Sequence, residues 1–110
     1  MSEPAGSNAE CPPDRRALRE GNVVRVLKII NSRGLHARAS ARFVQTVERF
    51  DADVTVTRGG ETVGGTSIMG LMMLSAGPGT SITVEAAGMQ AAEVMAALEA
   101  LVAGRFGEGD

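Results

Sequence analysis

A glycine pair, Gly59-Gly60, separates two short runs in which polar and apolar side chains alternate. The run before the pair is Asp53 to Arg58 (DVTVTR), and the run after it is Glu61-Thr62-Val63. Alternation with a period of two is typical of strands that bury one face, and adjacent glycines allow the positive φ angles of a tight hairpin. The pattern therefore predicts two neighbouring antiparallel strands.

The remaining elements follow from changes in periodicity. Val23 to Ile30 is rich in β-branched residues and predicts a first strand, and Ser81 to Glu85 alternates and predicts a fourth. Two amphipathic helices are indicated by apolar residues at three- and four-residue steps. Their stripes are Ala39, Phe43, Val47 and Phe50 in the first, and Ala91, Val94, Met95, Leu98, Leu101 and Val102 in the last, which ends at Gly104.

A short helix is predicted between the two. Ser67 to Leu74 is apolar after a plausible N-cap at Ser67, and it ends before the strong breaker Ser75-Ala76-Gly77-Pro78-Gly79. The order β-α-β-β-α-β-α predicts an α+β fold, an open-faced β-sandwich with helices on one face of a four-stranded antiparallel sheet. The other face would meet water. The polar residues available to cover it are Arg25, Lys28, Thr55, Thr57 and Thr83.

The chain has 110 residues, which is about one domain. Residues 1–22 are rich in Pro and polar residues and are expected to be a disordered leader. The domain is placed at residues 23–103 and a flexible tail at residues 104–110. The sole cysteine, Cys11, excludes an internal disulfide, and there is neither a signal peptide nor an apolar run long enough to cross a bilayer. These features predict a soluble cytoplasmic protein without membrane insertion.

The distribution of charge is more informative than the net charge of −2. That total, and the absence of Trp and Tyr, argue against binding of nucleic acid. Between Gly21 and Val47, however, there is no acidic residue. The same window holds five cations, Arg25, Lys28, Arg33, Arg38 and Arg42. The only histidine, His36, is therefore expected in a locally positive region, unless the run is simply a solvated face.

His36 directly precedes the first helix, whose entrance has no Ser, Thr, Asp or Asn nearby. First-turn amides without side-chain partners, the helix dipole and Arg38 would together stabilise an anion such as a phosphoryl group on the imidazole. The same positive charge favours the neutral, nucleophilic ring. The plainer alternative is a capping or solvent-exposed histidine. A metal site is not expected, because no other histidine and no nearby acid could complete one.

Other catalytic signatures are weak. Ser40 lies four residues after His36, but no serine elbow or orienting acid accompanies the pair, which disfavours a hydrolase. The glycine-rich stretches lack the lysine of a phosphate-binding P-loop and are interpreted as turns. The short helix carries more apolar side chains than it can bury. We therefore expect an adaptable docking surface made by Ile68, Met69, Met72 and Met73.

Two motifs, in this order, resemble the histidine-containing phosphocarrier family HPr and its nitrogen-branch relatives, NPr. They are Gly34-Leu35-His36-Ala37-Arg38 at the first helix entrance and Ser67-Ile68-Met69-Gly70 at the short helix. The resemblance covers about Val23 to Val102. It implies a carrier in the phosphoenolpyruvate-dependent phosphotransferase system, in which His36 accepts phosphate at Nδ1 from enzyme I and passes it to an enzyme IIA domain. Arg38 would assist the phosphohistidine.

The resemblance carries further implications. Ser67 matches a serine that a kinase can modify in the family, so an HPr serine kinase/phosphorylase is a possible partner. No cofactor is implied, and a monomer is expected. Ala39 stands where the family usually has proline, which would loosen the helix entrance modestly. The segment Leu71 to Ala76 and the acidic ending favour the nitrogen-regulatory branch.

Two other functions stay open on the sequence alone. One is a regulatory docking module whose affinity is switched by phosphorylation at His36 or Ser67. The other is a small-ligand-binding α+β domain, which the lack of pocket-forming polar and aromatic residues disfavours. The residues expected to contact a partner are Arg33, Ala37, Arg42, Ile68, Met69, Met72 and Met73.

Overall fold

The computed structural model describes residues 22–107, so the predicted leader, apart from Asn22, and residues 108–110 lie outside it. Four strands and three α-helices alternate as predicted from the sequence. The strands are β1 (Val23–Lys28), β2 (Asp53–Arg58), β3 (Glu61–Gly64) and β4 (Ser81–Ala87). The helices are α1 (Ala37–Glu48), α2 (Ile68–Met73) and α3 (Ala91–Ala103).

The strands form one antiparallel sheet in the order β1-β4-β2-β3. β2 and β3 are joined by the glycine pair, with Arg58 opposite Glu61 and φ angles of 58° and 84° at Gly59 and Gly60. Both angles are positive, as a type I′ turn with two central residues requires. The predicted hairpin is therefore present.

All three helices lie on one side of the sheet. α1 packs against α2 and α3, α3 packs on β1 and β4, and α2 packs on β3. The core between the helices and the sheet contains most of the predicted apolar stripes, among them Phe43, Val47, Val94 and Leu98, all fully or almost fully buried. The predicted open-faced α+β fold is confirmed.

The open face of the sheet carries predicted polar residues together with exposed Val26, which lies opposite Thr83, and one residue departs from the prediction. Thr83 lies opposite Thr57, and Thr57 lies opposite Thr62, with the last two hydroxyls 2.8 Å apart. Arg25 is on the other face, because its side chain forms a 3.5 Å ion pair with Glu99 of α3. Residues of β1 alternate between faces, so Arg25 shares the helix side with buried Leu27.

The packed domain continues past Gly104, which corrects the predicted tail. Residues Arg105–Gly107 form a short turn in which all three φ angles are positive, and Phe106 is completely buried in the core. The reason is the large apolar area of phenylalanine, which favours folding the chain back over the core. Among residues 22–107, no helix is long and apolar enough to span a membrane.

Candidate functional site

The loop between β1 and α1 is held against the segment that follows α2. Gly34 has φ of +64°, and a Cβ at this position would lie 2.3 Å from the Ala76 carbonyl oxygen. The next amide, Leu35 N–H, donates to that same oxygen at 3.0 Å. Only glycine fits so close to the facing backbone. The contact fixes the two residues that lead into His36.

His36 is the N-cap of α1. Its backbone is extended (φ −78°, ψ −176°), and its Nδ1 accepts a hydrogen bond of 3.3 Å from the Arg38 backbone N–H. The sequence predicted first-turn amides without a side-chain partner, and this prediction was wrong for Arg38, because the histidine itself supplies the acceptor. The bond directs a backbone N–H at Nδ1, with the lone pair of that nitrogen pointing toward the helix entrance.

His36 opens into a shallow hollow of about 240 Å³. One wall is the loop before α1, with Arg33 and Leu35, and the other is the segment after α2, with Ser75, Ala76 and Gly77. The His36 side chain is half-buried, whereas Arg33 and Arg38 are exposed. An anion attached to the ring would therefore be open to solvent and to a partner protein, with Arg33 on one wall of the hollow.

The five cations predicted around His36 separate in the structure. Arg33 lines the hollow and Arg38 is in the first turn of α1. Arg42 borders a different depression, between α1 and Leu101 of α3, with its guanidinium beside Gly107. Arg25 is engaged with Glu99 on α3. Lys28 is the last residue of β1, opposite Ser81. Of the five, Arg33 therefore shares the hollow with His36, and Arg38 shares the first turn of α1.

The short helix α2 presents the predicted apolar surface. Its N-cap is Ser67, whose Oγ accepts a 3.0 Å hydrogen bond from Gly70 N–H, and only Leu71 of the helix is buried. We call the exposed apolar group the α2 patch. It comprises Ile68 (39% exposed), Met69 (69%), Met72 (39%) and Met73 (68%). Ser67 is at the first turn of the helix that carries this patch.

The hydroxyl of Ser40 is committed to the backbone. It donates to the Leu35 carbonyl oxygen at 3.2 Å, and the residue is completely buried. A buried hydroxyl that donates to a carbonyl is poorly placed for nucleophilic attack, which agrees with the weak case for a hydrolase. Within residues 22–107 no three His, Cys, Asp or Glu side chains come together as a metal site would require.

These features define a class of protein: a small open-faced α+β domain that presents one histidine at a helix N-terminus beside an apolar helical surface. A sequence profile described as "PTS HPr component phosphorylation site" matches residues 23–104. The phosphocarrier protein HPr of Neisseria meningitidis serogroup A is 52% identical over 84 residues, which cover 76% of this chain and 94% of the relative. The phosphocarrier protein NPr of Shewanella violacea is 37% identical over 84 residues, 76% of this chain and 92% of that protein.

The fold gives the same result. The crystal structure of HPr-C-His from Thermoanaerobacter tengcongensis superposes with a TM-score of 0.75 at 36% identity, over 78% of this chain and 97% of that one. The chain belongs to the HPr family of phosphocarrier proteins of the phosphotransferase system.

Sequence reasoning missed the wall of the hollow opposite Arg33. The glycines and proline between Ser75 and Gly79 indicate a loop that ends α2, and the sequence shows nothing more about this segment. The segment lies beside His36 because Leu35 N–H donates to the Ala76 carbonyl oxygen, a bond between residues more than 40 positions apart. A local pattern carries no information about such a pairing.

Proposed function

We propose that this chain accepts a phosphoryl group on His36 Nδ1 from phosphorylated enzyme I and delivers it to an enzyme IIA domain. The observation that supports the proposal best is the hydrogen bond from Arg38 N–H to Nδ1 at the mouth of an open hollow. It places the acceptor nitrogen unprotonated beside a backbone donor. The cytoplasmic location and monomeric state inferred from the sequence belong to the same proposal.

The transfer step follows from this geometry. The lone pair of Nδ1 attacks phosphorus, the bond from phosphorus to the donor breaks, and its electron pair leaves with the donor. The proton on Nε2 stays in place. The Arg38 N–H, released from Nδ1, then donates to a phosphoryl oxygen, and the α1 dipole and the guanidinium groups of Arg38 and Arg33 stabilise its negative charge. Return transfer to the acceptor reverses these steps.

Docking is assigned to two adjoining surfaces. The exposed α2 patch offers flexible methionine side chains that adapt to more than one partner, as a carrier between two proteins requires. Ala37, Arg38 and Arg33 around the hollow supply a small residue and positive charge that suit acidic partner surfaces. Arg42 would contact a partner only if the interface extended along α1 toward Gly107.

The direct test is incubation with phosphoenolpyruvate and cognate enzyme I, followed by mass spectrometry of the intact chain. We expect one acid-labile phosphate on the wild type and none on His36→Ala, since this is the only histidine in the chain. Gln45→Ala, an exposed change on α1, is the matched control and should label normally. Gln45→Ala should melt near the wild-type temperature, and His36→Ala, which loses the α1 cap, should melt a few degrees lower while remaining folded. Labelling of His36→Ala at the wild-type level would refute the proposal.

We further propose that the chain acts in the nitrogen-regulatory branch. The segment Leu71 to Ala76 and the acidic ending resemble that branch of the family. Presenting the phosphorylated chain to a nitrogen-branch and a sugar-branch IIA domain separately would decide it. Faster transfer to the nitrogen-branch domain is expected, and the reverse order would assign the chain to sugar uptake. If neither accepts phosphate while the phosphorylated chain binds a target, the regulatory docking module becomes the better interpretation.

A further inference from the structure

Ser75 has a backbone conformation that L-residues rarely adopt. Its φ is +54°, although it carries a side chain, and it follows directly after the C-cap of α2. Glycine occupies such positions at helix ends without strain, whereas a residue with a Cβ is strained there. A serine at a position that suits glycine is expected to have a use for its hydroxyl group.

The strained residue lies in a well-fixed loop beside His36. On one side of it, Arg58 Nη1 donates to the Leu74 carbonyl oxygen at 3.0 Å. On the other side, Leu35 N–H donates to the Ala76 oxygen. Ser75 is exposed and lines the same hollow as His36 and Arg33. The residue is thus held at the acceptor site by bonds on both of its neighbours.

We infer that Ser75 is a phosphate-binding residue whose hydroxyl donates a hydrogen bond to the phosphoryl group on His36. The inference rests on the proposed function of His36. The group has three oxygens, and the donors assigned so far, the Arg38 amide and the two guanidiniums, all come from the loop before α1 or from α1 itself. Ser75 supplies a donor from the opposite wall. A hydrogen bond to a charged acceptor is stronger than one between neutral groups, so its loss should shift the phosphorylation equilibrium measurably.

The test is a competition that measures the equilibrium and not the rate of docking. Equal amounts of wild-type chain and Ser75→Ala are mixed with catalytic enzyme I and limiting phosphoenolpyruvate until phosphate has equilibrated between them. Intact mass then separates the two phosphorylated chains. We expect the wild type to carry about tenfold more phosphate, the lower end of the range for a hydrogen bond to a charged group.

Two further variants separate this role from a structural one. Ser75→Gly removes the hydroxyl and relieves the strain, so it should melt at or above the wild-type temperature and still lose the competition. Ser81→Ala, the same change at an exposed position at the start of β4, should share phosphate equally with the wild type. Equal partition for Ser75→Ala or Ser75→Gly would overturn the assignment. Failure of the wild type to take up any phosphate would instead refute the function proposed for His36.

Discussion

Gly34 and His36 are two residues apart, and one is needed because it lacks a side chain and the other because of its side chain. Gly34 is required for its missing side chain, because the Ala76 oxygen fills the space where a Cβ would lie. His36 is required for its side chain, whose Nδ1 caps α1 in a residue that lines the hollow. The close backbone contact at Gly34 therefore sets the position of the acceptor nitrogen relative to Ser75 and Gly77.

Gly34→Ala should disturb the site, whereas Gly59→Ala should not. Both glycines have a positive φ, +64° and +58°, so each variant carries strain of about 1–3 kcal/mol. Only the Cβ at Gly34 would overlap other atoms, since nothing lies within 4 Å of the corresponding position at Gly59. We expect Gly34→Ala to melt lower than Gly59→Ala and to accept phosphate more slowly. Equal melting temperatures and equal rates would mean that the contact with Ala76 yields without consequence.

Arg38→Ala should slow phosphoryl transfer by about tenfold or more without abolishing it, since the loss of one donor to a developing charge is costly but the first-turn amides remain. Arg49→Ala is the control. It removes the same charge from the residue that caps the other end of α1 and should transfer at nearly the wild-type rate. Rapid-quench measurement of labelling by phosphorylated enzyme I compares the two. Equal rates for both variants would remove Arg38 from the site.

The place of His36 at a helix entrance could be predicted from the sequence, but its surroundings could not. The positions of His36 and Arg38 could be predicted because a histidine just before an amphipathic stripe lies at the helix entrance. Arg38, two residues further on, must then lie in the first turn. The orientation of the imidazole ring, with Nδ1 toward the Arg38 amide, could not be predicted, because several capping residues and ring tautomers fit one sequence pattern. The part played by Ser75 depends on the pairing of two distant loops.

At the scale of elements, α2 shows how a helix of six residues can be stable while remaining mostly exposed. Helices this short do not persist alone in water. α2 is held by the Ser67 cap, by burial of Leu71, and by the bond from Arg58 to the Leu74 oxygen at its end. The residues on its outward side are not needed for packing, so the exposed methionines of the α2 patch are available to contact a partner protein.

A negative charge at Ser67 should weaken docking more than it weakens the fold. Aspartate is a good N-cap and interacts favourably with the helix dipole, so Ser67→Asp should keep its melting temperature within a few degrees. The charge lies at the edge of the α2 patch and must be desolvated when a partner docks. We expect the KM for phosphorylation by enzyme I to rise about tenfold or more, the range for a mismatched charge at an interface.

Two controls accompany this prediction. Ser67→Ala removes the Gly70 bond and should lose about 1 kcal/mol of stability while docking normally. Ala92→Asp adds the same charge to an exposed position in the first turn of α3 and should leave KM unchanged. If Ser67→Asp unfolds early, or if its KM equals that of Ala92→Asp, Ser67 acts only as a helix cap.

For the whole molecule, periodicity sufficed to predict the layers and the hairpin. Alternating runs have one apolar face, so they must form a sheet covered on one side, and Gly59-Gly60 fixes which strands are neighbours. The position of β4 between β1 and β2 is a matter of long-range pairing and could not be predicted from local pattern. The side of the sheet on which Arg25 lies depends on the exact register, and the ion pair with Glu99 shows that it lies under α3.

Phe106 shows the largest difference between sequence and structure at this scale, and it carries a prediction about stability. It follows the helix-ending Gly104, in a stretch of mixed polar and glycine residues that resembles a fraying end. In the structure it is completely buried, although its φ of 55° is unfavourable for a bulky residue. Burial of the ring must outweigh that strain, so the turn covers part of the core beside α3.

Phe106→Ala should therefore destabilise the domain by about 3–5 kcal/mol, the usual cost of truncating a buried phenylalanine. That is a large part of the 5–15 kcal/mol typical of a small domain. Met89→Ala removes an apolar side chain that is 87% exposed and should change stability by less than about 0.5 kcal/mol. Urea unfolding of both variants, and of a chain ending at Gly104, measures the difference. The truncated chain should lose at least as much as Phe106→Ala, because it lacks the whole turn. A truncated chain as stable as the full one would show that the packed domain ends with α3 and that Phe106 contributes nothing to its core.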